Sequence, residues 1–137
     1  LEFRRVLFRS NAFNEAKKKI NFSAIYISHD LALVKYVCER TIVMYLGTIV
    51  EDGSTDEVVR NPLHPYTKAL VSAVPIPHVN QSHEPLPIKG HVPDATANYI
   101  GCKFAERCPM AQTICFEKNP DLELKNHNDH FAACHFI

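Results

Sequence analysis

The chain has 137 residues, enough for one domain or two small ones, and its 46% hydrophobic content is ordinary for a globular protein. Fifteen Lys and Arg balance fifteen Asp and Glu, so no net field argues for nucleic acid or an anionic membrane surface as partner. No apolar run approaches the ~20 residues of a membrane-spanning helix, which predicts a polypeptide soluble by itself.

Residues 1–10 lack an initiating Met, and Arg4-Arg5-Val6-Leu7-Phe8-Arg9 has no apolar centre of the kind a signal peptide needs. This stretch reads as extraneous sequence. Glu15 to Ile20 reads as the end of an exposed helix, with Lys17-Lys18-Lys19 on its solvated face. Asn21-Phe22-Ser23 then turns the chain into Ala24-Ile25-Tyr26-Ile27-Ser28, an apolar run rich in β-branched and aromatic residues. That composition predicts a strand buried on both faces.

Asp30 is a good helix N-cap, and Leu31, Val34 and Val37 recur at the spacing of one helical face. His29 therefore sits where a buried strand hands over to a helix, the end of an open α/β sheet where ligands bind. A histidine there can donate to an anionic group, or can simply satisfy a nearby carbonyl. Cys38 falls in the helix and reads as a core residue.

Thr41–Tyr45 and Thr48–Glu51 predict a hairpin around Leu46-Gly47, with Gly47 supplying positive φ. Asp52-Gly53-Ser54 is expected to break the second strand. Ser54 with Glu57 has the spacing of a capping box, which opens a short helix carrying Val58 and Val59 and ending before Asn61-Pro62. From residue 61 prolines multiply, at 62, 65, 75, 77, 85, 87 and 93. Pro65 can open a helix at its first position. Tyr66, Ala69, Leu70 and Ala73 give that helix an apolar stripe, expected to pack rather than dock a partner, and residues 75–93 read as a connector.

Four of the five cysteines follow, with the spacing Cys-x5-Cys-x6-Cys-x18-Cys: Cys102, Cys108, Cys115 and Cys134. Zinc ribbons and fingers normally show close Cys-x2–4-Cys knuckles, which this tail lacks. Four thiolates, one of them followed by Pro109, are compatible with a [4Fe–4S] cluster. Zinc, and cysteines that are unliganded or oxidised, stay open as alternatives. His130, before the last cysteine, reads as a supporting or packing residue rather than a ligand.

Ile27-Ser28-His29-Asp30-Leu31, then Val43-Met44-Tyr45-Leu46-Gly47-Thr48-Ile49-Val50-Glu51 and Gly53, together resemble the closing third of an ABC-transporter ATPase. Asn61-Pro62-Leu63-His64-Pro65-Tyr66-Thr67-Lys68-Ala69-Leu70 is similar to the segment that marks the ATP-binding subunits of oligopeptide and dipeptide importers. The likeness runs from about residue 12 to the end. It implies an α/β fold: the C-terminal piece of a P-loop NTPase domain over residues 11–60, then a small Pro-rich, Cys-containing tail domain over residues 61–137.

By the same resemblance His29 is the switch histidine that contacts the ATP γ-phosphate in the complete subunit. ATP and magnesium are the implied cofactors. Some family members also carry an iron–sulfur cluster in the tail, which points to Cys102, Cys108, Cys115 and Cys134 as its ligands. The implied partners are a second ATPase subunit, transmembrane permease subunits and, indirectly, an extracytoplasmic substrate-binding protein, with no nucleic acid. The implied location is the cytoplasmic face of the cell membrane, a reducing compartment that disfavours disulfides.

The chain contains no Gly-x4-Gly-Lys-Ser/Thr phosphate loop, no Leu-Ser-Gly-Gly-Gln signature and no apolar strand ending in Asp-Glu. One histidine cannot stabilise phosphoryl transfer alone, so these 137 residues are expected not to hydrolyse ATP by themselves. A different class competes: a non-enzymatic metal- or iron–sulfur-binding interaction module.

Overall fold

The computed structural model describes residues 15–16, 19–20, 22–74, 88–91, 93–94, 97–126 and 128–137. The expectations for residues 1–10, for Lys17 and Lys18, and for most of the connector lie outside these residues.

Helix α1 spans Leu31–Val37. Asp30 caps it: its Oδ1 accepts from the N–H groups of Ala32, at 2.9 Å, and Leu33, at 3.2 Å. Val34 and Val37 are buried, as their spacing predicts. Cys38 is not inside this helix but at its C-cap, and is half-buried rather than core.

The stretch before α1 departs from expectation. Residues 22–28 belong to no strand, and Ile25 and Ile27 are 94% and 93% exposed. An isolated extended segment cannot bury its own faces, because a strand draws hydrogen bonds and apolar cover from its neighbours. None of the four sheet strands pairs with it.

Strands β1, Arg40–Tyr45, and β2, Thr48–Ser54, form the predicted antiparallel hairpin. Both turn residues have positive φ, Leu46 at 45° and Gly47 at 75°, the two-residue geometry that matches strand twist. β2 is not broken at Asp52-Gly53-Ser54, since Thr41 and Arg40 continue the ladder opposite Gly53 and Ser54. A bulge shifts the register between Val43, which faces Glu51, and Met44, which faces Ile49. The extra residue, Val50, breaks strict alternation, so Val50 and Glu51 are both buried.

Helix α2, Thr55–Arg60, starts where Ser54 Oγ accepts from Glu57 N–H at 3.3 Å. Helix α3, Pro65–Ala73, has proline in its first turn and ends before Pro75. Ala69 is buried, and Tyr66 and Leu70 pack against a core of Val43, Tyr45, Val50, Val58 and Phe104. The stripe on α3 is thus a packing surface, although Ala73 at its end is exposed.

The cysteine-bearing tail adds a 3-10 turn, Ala105–Arg107, helix α4, Thr113–Glu117, and strands β3, Glu123–Asn126, and β4, His130–Ala132. The tail does not stand apart as a second small domain. Its β4 pairs with β2, giving one sheet of order β1-β2-β4-β3 with two strands from each side of residue 60. Phe104 meets Tyr45 edge-to-face at 5.1 Å and Tyr66 at 5.4 Å, which makes a tail residue the centre of the common core. Lys103 Nζ also donates to the Leu46 carbonyl of the hairpin turn. No helix among the described residues is long and apolar enough to cross a membrane.

Candidate functional site

Glu51, turned inward by the bulge, is 0% exposed and joins three parts of the fold. Its Oε1 accepts from Leu63 N–H at 2.9 Å and lies 2.7 Å from His130 Nε2, while Oε2 accepts from His64 N–H at 2.7 Å. His130 is also 0% exposed. A buried carboxylate is tolerable only when its lone pairs are met in this way, and the result ties β2 to the start of α3 and to β4. In the sequence Glu51 is simply the last residue of the second predicted strand, Thr48–Glu51. Nothing local marks it as buried, since the bulge that turns it inward depends on pairing with β1.

His64 is the N-cap of α3, a role usually taken by Ser, Thr, Asp or Asn. Its Nδ1 accepts from Tyr66 N–H at 3.1 Å, and its ring packs beside Phe104 at 5.7 Å between centroids. Burial lowers its pKa to about 4, with the charge of Lys68 adding to the effect. The ring is therefore neutral at pH 7, and with Nδ1 accepting, the proton sits on Nε2.

Cys102, Cys108, Cys115 and Cys134 reach one place from four different local settings. Cys102 follows Gly101, Cys108 ends the 3-10 turn, Cys115 is buried in α4, and Cys134 follows β4. The backbone draws two of them together, because Cys102 N–H donates to the Cys115 carbonyl at 2.7 Å. Gly101 permits that approach: a Cβ there would collide with the Cys115 carbonyl and the Phe116 backbone. All four thiols, together with His64, line a single cavity of about 20 Å³. All four are free of disulfides.

Burial raises the Cys102 thiol pKa; a hydrogen bond from the Phe104 backbone opposes this, and Cys115, Cys108 and Cys134 add to it. Cys108 is raised for the same reason, opposed by the Met110 backbone and reinforced by Cys134 and Cys115, while Lys89 lowers it. Among the described residues, no three His, Cys, Asp or Glu side chains are gathered closely enough to hold a single ion. His29 is far simpler: it is exposed at the end of the extended segment, one residue before the Asp30 cap.

Residues 50–115 match the family described as the oligopeptide/dipeptide transporter, C-terminal region. A putative peptide import ATP-binding protein of Brucella ovis is 39% identical over 124 residues, covering 90% of this chain and 39% of that protein. The oligopeptide transport ATP-binding protein OppF of Salmonella typhimurium is 44% identical over 115 residues, covering 82% of this chain and 34% of that protein. The oligopeptide transport ATP-binding protein AppF of Bacillus subtilis is 39% identical over 127 residues, covering 91% and 38%. The similarity to these ATP-binding proteins runs over 82–91% of the chain, and residues 50–115 carry the match to the family's C-terminal region. The chain spans well under half the length of the curated relatives it matches.

Proposed function

We propose that the chain acts as the C-terminal region of the ATP-binding subunit of a peptide importer, in which ATP binding and hydrolysis drive uptake. The observation that carries this is similarity over 82–91% of the chain to proteins described as peptide or oligopeptide ATP-binding subunits. Exposed Ile25 and Ile27 agree with it, as a strand looks this way without its sheet. His29 contacts the ATP γ-phosphate, and the Asp30 cap on α1 fixes the backbone from which it projects. Magnesium and the remaining phosphate contacts come from elsewhere in the complete subunit. That subunit pairs with a second ATPase subunit at the cytoplasmic face of the membrane, against the permease subunits. The extracytoplasmic substrate-binding protein is reached only through the permeases.

The test is His29→Ala in the full-length subunit. Nucleotide binding is largely retained and turnover is lost; an unchanged hydrolysis rate would sink the assignment. The competing module class has no support, since none of the relatives named above is described as one.

The cysteine cavity is read as the seat of a [4Fe–4S] cluster held by Cys102, Cys108, Cys115 and Cys134. What supports this reading is that all four cysteines are free of disulfides and line one small cavity. Buried thiolates brought together need a cationic centre to offset repulsion and lost hydration. When bound, the cluster supplies cross-links among the 3-10 turn, α4 and the end of β4. Anaerobic purification tests this: iron and labile sulfide in near-equal amounts support it, whereas zinc alone, or neither, rejects it.

A further inference from the structure

We propose that Ser28 is a positioning residue for His29, closing a hydrogen-bonded ring that fixes the backbone from which the imidazole projects. The proposal rests on the reading of His29 as the γ-phosphate contact. Ser28 Oγ accepts from Asp30 N–H at 3.0 Å, so the bond spans His29 and no other residue. The ring it closes contains both backbone dihedrals of His29. A hydroxyl bonded two residues on imitates a backbone turn, and it leaves the side chain between them unused.

The other end of the junction is held to a helix. Asp30 Oδ1 accepts from Ala32 and Leu33 N–H, and its carbonyl accepts from Val34 N–H at 3.0 Å. Val34 and Val37 bury one face of α1. Asp30 is therefore anchored to a packed helix, and His29 is the first residue outside that anchor. On its other side residues 22–28 belong to no strand, so no sheet ladder restrains it. The Ser28 hydroxyl supplies that restraint.

Ser28 and His29 are both exposed. The ring thus orients a side chain that stays open to a ligand, while the hydroxyl itself seals no part of the core. Removing it releases the His29 dihedrals and leaves the Asp30 cap and α1 intact. A freed backbone populates several conformations, and only the fraction in the competent one supports turnover.

Three substitutions in the full-length subunit test this, read as kcat and KM for ATP and as melting temperature. Ser28→Thr keeps the acceptor oxygen, whereas Ser28→Val has nearly the same shape without it, and Ser28→Ala removes both. The Ala and Val variants lose about fivefold in kcat, the net weight of one hydrogen bond, with KM within about twofold. Ser28→Thr stays near wild type, and all three melt as wild type does.

If Val matches Thr, or Ala keeps the wild-type kcat, while His29→Ala abolishes turnover, the proposal is overturned and the switch reading stands. Ala or Val variants that fail to fold, or melt lower in step with their loss of kcat, overturn it in favour of a structural role. Unchanged hydrolysis in His29→Ala removes the switch reading itself, and the positioning role with it.

Discussion

Removing the Glu51 carboxylate is the most informative perturbation of this fold. Glu51→Ala strands three partners at once: the Leu63 and His64 N–H groups and His130 Nε2. Leu63 is half-buried and can turn to water, but His64 and His130 are sealed. Each buried polar group left unpaired costs about 1–3 kcal/mol, so the two sealed partners cost about 2–6 kcal/mol. A domain has about 5–15 kcal/mol of net stability, so Glu51→Ala consumes much of it. Glu51→Gln keeps the shape and one acceptor oxygen but turns an NH2 toward a donor, for a loss of about 1–3 kcal/mol. Urea unfolding followed by far-UV circular dichroism, which suits a chain without Trp, ranks wild type above Gln and Gln above Ala. The control is Asp56→Ala, which breaks an exposed pair with Arg60 and costs no more than about 0.5 kcal/mol. A Glu51→Ala loss no larger than the control would refute the idea that this carboxylate ties strand, helix and tail together.

Two further perturbations test the same region. His64 has a folded pKa of about 4 against an unfolded value near ~6.5, so the unfolded chain binds more protons between them. Stability is fully present above about pH 6.5 and falls as pH drops toward 4, by up to about 3 kcal/mol; His64→Asn flattens that slope, and an unchanged slope contradicts the burial argument. Gly101→Ala forces a methyl against the Cys115 carbonyl and Phe116 backbone, which separates Cys102 from Cys115. It should cost about 1–3 kcal/mol and abolish iron retention, and a variant that unfolds and loads like wild type would disprove the close approach.

Much of this molecule is legible from the chain alone, wherever the determinants lie within a few residues. Asp30 caps α1, Leu46-Gly47 turns the hairpin, Ser54 starts α2 and Pro65 opens α3, each by chemistry confined to one turn. The family likeness is legible for a related reason: its motifs are contiguous stretches, and residues 50–115 match on sequence alone.

Tertiary structure decided what depends on partners distant in the chain. The apolar run at residues 24–28 reads as a buried strand, yet burial belongs to the sheet and not to the strand, and Ile25 and Ile27 stand exposed. Glu51 is only the end of a predicted strand in the sequence; the bulge in its pairing with β1 turns it toward His64 and His130. The cysteine tail reads as an appendage, but β4 lies beside β2 and Phe104 fills the hairpin's core, so the tail is part of the same sheet. The four cysteines show only a spacing in the sequence. Their meeting in one cavity follows from β4 pairing with β2 and from the missing side chain of Gly101, a close backbone approach that residue order cannot encode by itself.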